Sequence, residues 1–376
     1  MCYLNIDGVT KFLSTIVCEC LVLTGPELSF VEHNTAAFIE QALAAEGIAC
    51  SRVAGTGVLA KIEGKGDLKR AVVLRADIDA LPICEATGLE YASENEGVMH
   101  ACGHDMHAAI LFGTLQKLNT ERNFEGTIFG IFQPGEECTP GGASMVLAEK
   151  PFEGYDVVAV IGNHTDSTLE VGQIGICEGP FMASNDELRF YVRGRGGHGA
   201  MRDKIDDTVA AAANIVTRVN CLNDSDLVLS IGKIQADGAT NIIPDLVYME
   251  GTMRTFDQKL RESIWGEVEA VAADVDSIFG TTTEVVIGHG YPTVVNDGVL
   301  ADVARGLAAE KYEEVELERR YTAEDFGFYT VEYPSIFYRL GVGSAAGRSH
   351  TSTFAPDEGA IAVGVDFMAT LATQVK

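Results

Sequence analysis

Four short runs dominate the pattern of this chain: Ala71–Leu74 (AVVL), Thr127–Phe132 (TIFGIF), Val157–Ile161 (VVAVI) and Ile336–Leu340 (IFYRL). Each is too short for a helix and almost wholly apolar. That combination predicts a strand buried on both faces, as in a parallel sheet covered by helices. Helical patterns at Val31–Ala45, Met106–Leu118, Gly142–Glu149 and Asp357–Thr373 alternate with these runs, and Gly57–Ile62 supplies one more strand. The alternation predicts an α/β domain.

The middle of the chain has a different texture. Glu187–Val192, Leu227–Ile234, Leu246–Arg254 and Thr283–Ile287 read as strands, interleaved with helices at Asp206–Val219 and Asp257–Phe279. Four strands and two helices make a compact α+β unit of plausible domain size. The expected organisation is therefore a catalytic domain of residues 1–183 and 293–376, interrupted by an inserted domain of residues 184–292. Gly194, Gly196, Gly197 and Gly199 are expected to mark a tight turn near its start.

A chain of 376 residues exceeds the size at which one core stops growing, so two domains are the default. With 27 basic and 55 acidic residues the formal charge is −28, a field that repels nucleic acid. Nine cysteines, an odd number without paired spacing, argue against a disulfide framework and for a reducing, cytoplasmic compartment. The apolar segment Phe12–Leu23 is interrupted by Glu19, lacks a small-x-small cleavage site and is too short to span a bilayer. Neither export nor a membrane partner is expected.

Reactive side chains gather where the strands end. Arg75-Ala76-Asp77-Ile78-Asp79 follows AVVL, Gln133-Pro134-Gly135-Glu136-Glu137 follows TIFGIF, Asn163-His164-Thr165-Asp166 follows VVAVIG, and Ser349-His350 follows IFYRLG by a glycine-rich loop. Ligands of open α/β sheets bind outside the carboxyl ends of the strands, so these four groups are expected to meet in one crevice. The stretch Met99–Ala108 (MHACGHDMHA) adds three of the eight histidines of the chain. Asp105 is expected to cap a helix starting at Met106, leaving Cys102 and His104 in the preceding loop and His107 facing elsewhere.

A lone Cys-x-His is as readily a buried cysteine beside a satisfied histidine. Together with two more histidines and Glu136-Glu137 at matching strand ends, it becomes a candidate metal site, thiolate and imidazole suiting zinc or a neighbouring transition metal. Adjacent acids are usually a solvated loop, but this pair follows Pro134-Gly135 and an apolar strand. Two acids can divide the work, one binding metal while the other moves the proton of an attacking water.

The ordered motifs LRADIDALP, HACGHD, FQPGEE, GRGGHGAM, NIIPD, GTMRTFD, AEDFGFY and SHTSTFAPDE resemble the metallopeptidase family that holds bacterial aminoacylases, hippurate hydrolases, N-acetyldiaminopimelate deacetylases and plant auxin-conjugate hydrolases. The resemblance runs from about Pro26 to the end. It implies a zinc-peptidase-like catalytic domain with a mixed sheet, a smaller α+β dimerisation domain, and a homodimer. It implies metal ligation by Cys102, His104, Glu137, His164 and His350, shared between two divalent ions (zinc, manganese or cobalt), with Asp77 and Asp79 in support. Glu136 would be the general base and then the general acid, and His198 would reach the partner's active site to stabilise an oxyanion. Asn241 and Arg254 would hold the carboxylate side of the substrate, an N-acyl amino acid. A dipeptidase or aminopeptidase on the same scaffold, or a non-catalytic metal-binding protein, are the alternatives.

The chain departs from the family pattern in three places. Thr165-Asp166-Ser167 replaces an apolar-Pro continuation, Arg202-Asp203 replaces Pro-His after Met201, and the first 25 residues lack the usual basic, histidine-containing helix.

Overall fold

The computed structural model describes residues 25–375; the Phe12–Leu23 segment and nearly all of the atypical N-terminus lie outside them. In chain order the first elements are α1 (His33–Ala45), β1 (Ala49–Val53), β2 (Gly57–Glu63), β3 (Arg70–Asp77), α2 (His104–Glu121), β4 (Thr127–Gln133), α3 (Gly142–Ala148), β5 (Asp156–Asp166) and β6 (Gln173–Ile176). Then come β7 (Gly179–Met182), β8 (Asp186–Arg193), β9 (Gly197–His198), α4 (Thr208–Asn220), β10 (Leu227–Ala236), β11 (Ile242–Ile243), β12 (Leu246–Thr255), α5 (Gln258–Phe279) and β13 (Thr282–His289). The chain closes with β14 (Val294–Asn296), α6 (Gly298–Lys311), β15 (Glu313–Glu316), α7 (Gly327–Glu332), β16 (Ser335–Gly341) and α8 (Gly359–Gln374). Two compact units result, one of residues 25–179, 295–318 and 328–375, the other of residues 180–294 and 319–327.

The first unit is built on an eight-stranded sheet in the order β1-β2-β4-β3-β5-β16-β6-β15. Its centre, β4-β3-β5-β16, is parallel throughout, while β1, β2 and β6 join antiparallel, so the sheet is mixed. β4 and β16 are buried along their whole length, which is why they read as unbroken apolar runs. Helix α2 packs on β3, and α8 packs on α2. Leu74, Leu111, Ile128, Leu340 and Leu371 lie fully inside this core. Truncating such a leucine to alanine costs about 2–5 kcal/mol.

Parallel neighbours end at one edge. Asp77 pairs with Gln133, and Gly341 with Asp166, so β3, β4, β5 and β16 deliver their carboxyl ends side by side. This edge carries all four reactive groups read from the sequence.

The second unit is an antiparallel sheet, β10-β12-β8-β13, with α4 and α5 packed against it. Strand β8 alternates, burying Leu188, Phe190 and Val192 against Ile215, Val219, Ile264 and Val268 of the two helices. Asp207 and Asp257 cap these helices through side-chain hydrogen bonds to Ala210 N and to Lys259 N and Leu260 N. The glycine stretch runs into β9, paired antiparallel with β11 (His198 opposite Ile242, Gly197 opposite Ile243), and then turns at Gly199 and Ala200, where Met201 N donates to His198 O at 2.8 Å. Among the described residues no helix is long and apolar enough to cross a membrane.

Candidate metal centre and active site

The turn before α2 is built differently from the sequence expectation. The helix begins at His104, not Met106, and Gly103 takes the N-cap position in the left-handed region (φ 86°) with no side-chain cap. Asp105 therefore lies within the first turn rather than capping it. Glycine is needed at position 103 twice over. A Cβ would sit 2.8 Å from Thr165 Oγ1, and the positive φ disfavours any other residue. The tight turn places Cys102 and His104 on either side of one backbone kink, both buried.

Around that kink the five expected ligands converge. Cys102 Sγ lies 3.4 Å from His164 Nε2 and 3.3 Å from His350 Nε2. Glu137 Oε1 lies 3.3 Å from His350 Nε2 and 3.9 Å from His104 Nε2. They form two triads that share the thiol, Cys102–His104–His164 and Cys102–Glu137–His350, each with its donor atoms within 4.8 Å of one another. Glu136, buried, joins His104 and Glu137 in a third group of the same compactness.

Asp79 holds two of these ligands at once. Its Oδ1 takes His104 Nδ1 at 3.1 Å, and its Oδ2 accepts from Glu137 N at 3.0 Å and from Ser29 Oγ at 2.7 Å. His104 Nε2 is thereby the nitrogen left for a ligand. Asp77 is a supporting residue too: Arg75 donates to it at 2.6 Å, and His107 Nδ1 lies 2.5 Å away. His107 does not face elsewhere. Its Nε2 accepts from Thr165 N at 2.9 Å, and its ring lies 4.8 Å from that of His164. The Thr165 hydroxyl donates to the Cys102 carbonyl at 3.0 Å, so one residue ties the strand end bearing His164 to the turn bearing Cys102. His350 sits in a left-handed backbone conformation (φ 60°), held by a 2.7 Å hydrogen bond from its N–H to Ala101 O. Strain of this kind persists where the surroundings over-determine it.

The electrostatics call for a cation. His104 Nε2 is buried without a hydrogen-bond partner among the described residues. An atom left so costs about 1–3 kcal/mol. Burial pushes the Cys102 thiol up to about 12, so without a positive neighbour it stays protonated. Burial works against a charged His104, yet the Asp77 carboxylate, Cys102 and the Asp79 hydrogen bond hold the ring well above the ordinary imidazole range. The Glu137 hydrogen bond likewise raises His350. The field favours positive charge at His104 and His350, while burial and Arg339 hold His164 well below the ordinary imidazole range and so neutral. A thiolate, three imidazoles and a carboxylate suit zinc, manganese or cobalt. The residues fit a pair of divalent ions.

The other expected site residues belong to the second unit. His198 is exposed on β9, its Nε2 3.4 Å from Asn241 Nδ2, and Asn241 O accepts from Gly199 N at 2.9 Å. Arg254, on β12, donates to the Tyr321 carbonyl at 3.1 Å, and partial burial lowers its pKa. One positioning residue escaped the sequence reading. Glu32, fully buried, accepts from Gly135 N at 2.9 Å and from Thr56 Oγ1 at 2.5 Å, and so fixes the loop that carries Glu136 and Glu137. An acid entering an apolar helix was the available signal.

Comparison with known proteins agrees with this construction. Over 360 residues the chain is 38% identical to the N-acetylcysteine deacetylase of Bacillus subtilis, covering 93% of each chain. It is 41% identical over 281 residues to the N-acyl-L-amino acid amidohydrolase of Geobacillus stearothermophilus, covering 72% of this chain and 75% of that one. A crystal structure from Bacillus subtilis, described as a dinuclear metal binding peptidase from the M20 family, superposes with a TM-score of 0.86 at 36% identity, covering 97% of this chain and 98% of that one. The zinc-peptidase-like mixed α/β fold implied by the motifs is thereby borne out. The profile of Peptidase family M20/M25/M40 matches residues 73–374, and the chain belongs to that family of metal-dependent hydrolases.

Proposed function

We propose that this protein hydrolyses the amide bond of N-acyl amino acids with two divalent ions held by Cys102, His104, Glu137, His164 and His350. The observation that carries the reading is the pair of triads sharing Cys102, with a second buried acid, Glu136, beside them. A structural metal site has no use for that extra carboxylate. The relatives named as a deacetylase and an amidohydrolase of N-acyl amino acids support the substrate class.

When bound, the ions lower the proton affinity of water and polarise a carbonyl oxygen. Glu136 takes the proton of the attacking water and passes it to the leaving amine, releasing a carboxylic acid and a free amino acid. His198 donates to the developing oxyanion, and Asn241 and Arg254 bind the carboxylate of the amino acid. His198 serves the site of a second copy in a homodimer. Its exposure, and that of Met201 (50%) and Ile242 (42%) beside it, support a covering partner. Nine cysteines, an odd number without paired spacing, support a reducing, cytoplasmic compartment.

The test is an assay of N-acetyl and N-benzoyl amino acids with manganese, cobalt or zinc supplied. Glu136→Gln is expected to lower turnover roughly 10²–10⁴-fold, the usual worth of a general acid–base, with bound metal unchanged. Near-full activity of that variant overturns the assignment. A preference for substrates with a free N-terminal amine would make the protein a dipeptidase or aminopeptidase.

A further inference from the structure

Behind the Cys102 turn, inside the first unit, lies a second cavity of about 100 Å³. Its walls come from α1, the start of α2 and the segment at residues 354–361, with Phe38, Ile39, Met106, Phe112 and Phe354 as the main apolar surfaces. His100, Asp105, Tyr91, Glu85 and Glu358 interrupt them. His100 is only 9% exposed, and both of its ring nitrogens lack a hydrogen-bond partner among the described residues. Asp105 Oδ1, on the same wall, is buried and also without a partner. Glu85 and Glu358 add carboxylates, and none of the lining residues is Lys or Arg.

The metal centre does not use these groups, and core packing does not explain them. An imidazole buried for packing alone would have one nitrogen satisfied by the backbone. Water is a poor occupant. A cavity of about 100 Å³ has space for roughly three molecules, but each needs two to four polar partners and most of the wall offers none.

We propose that this cavity is a binding site, separate from the active site, for a small primary ammonium with a short apolar body. The head would donate to Asp105 Oδ1 and to the acceptor nitrogen of His100, and the acidic lining would concentrate cations there. The body would fill the apolar part. An apolar cavity of about 150 Å³ takes benzene, so this one fits a chain of about four carbons. His100 and Asp105 bracket Cys102 and His104 in sequence, so an occupant touches both ends of the turn that presents two metal ligands. The amidase reading is not needed for the site to exist.

The experiment is calorimetric titration of n-butylammonium into the full-length, metal-loaded protein, with 1-butanol as the uncharged control. Saturable binding of the ammonium is expected, at least tenfold tighter than the alcohol. Ala42→Leu, which fills the cavity from α1 at a distance from every proposed ligand, should weaken it at least tenfold while metal content and turnover stay unchanged. His100→Leu should weaken it too. Absence of binding to the wild type, equal binding of the alcohol, or undiminished binding to Ala42→Leu would each overturn the proposal. So would a crystal soaked in n-butylammonium that shows only water in the cavity. Failure of the amidase assay alone would leave these readouts intact, so the two ideas fail separately.

Discussion

The turn at Cys102–His104 and the ribbon at Gly197–His198 each carry a histidine to which the proposed function gives a role, but they are built on opposite principles. His104 is wholly buried, one ring nitrogen taken by Asp79 and the other left for a ligand. His198 is exposed, carried on a two-residue strand and steadied by Asn241 at 3.4 Å. A metal ligand must be aimed before the ion arrives, because its partners cannot reorganise around every binding event. A donor that meets substrate from a neighbouring chain needs reach instead. The first region is fixed by the core; the second, on the function proposed above, is completed by a second copy.

The contrast can be broken in four ways. Removing the ions with a chelator should cost the first unit the largest amount, about 4 kcal/mol for each ion that had been present at a thousandfold above its dissociation constant. Hydrogen exchange should speed up in α2 and β3 but not in β8 and β12; equal loosening of both units would show that the ligands are not pre-aimed by one core. Next in size, His198→Ala should lower turnover roughly 10²–10³-fold, as loss of an oxyanion donor does, with melting temperature and metal content unchanged. Mixing that variant with Glu136→Ala should restore part of the activity, and a mixture that stays inactive would count against a shared site.

A smaller effect should follow Thr165→Val, which removes the hydroxyl that holds the Cys102 carbonyl. Metal affinity is expected to fall about 10–100-fold, as on loss of a supporting hydrogen bond, while Thr165→Ser keeps it. Equilibrium dialysis against zinc decides, and unchanged affinity in the valine variant would remove Thr165 from the centre. Smallest is the acid response of the ribbon. The side chain and backbone N–H of Arg195 hold Asp206 at about 2, below its unfolded value near 3.9, at the root of the glycine stretch. The contribution is complete above about pH 4 and fades as pH falls through about 2. Exchange of the Gly197 and Ile243 amides should quicken over that window in the wild type and show no such step in Asp206→Asn.

Much of this was legible beforehand because burial writes directly into residue choice. Strands covered on both faces must be apolar, so β3, β4, β5 and β16 announced themselves to within a few residues. Helices α4 and α5 begin within two residues of the expected starts, each behind a capping aspartate, Asp207 and Asp257. Where the residues face solvent the signal thins: β1 is exposed along most of its length and was unread. Helix α6, with glycines at positions 298 and 306, was unread as well, since glycine weakens a helical pattern by about 1 kcal/mol per residue. The return of residues 319–327 to the second unit has no compositional mark.

The sequence alone determined the reactive inventory. It placed histidine and acid just beyond apolar strands, and parallel pairing brings such ends to one edge whatever the side chains do. Only the tertiary structure decided how each group is aimed. It put Gly103 in a left-handed turn, gave Asp79 both His104 and Glu137 to hold, turned His107 toward Asp77 and Thr165, and left His100 unpaired in a cavity. Those hydrogen bonds join residues 25 to 58 positions apart, and no local pattern encodes a hydrogen bond whose partner arrives from a different strand.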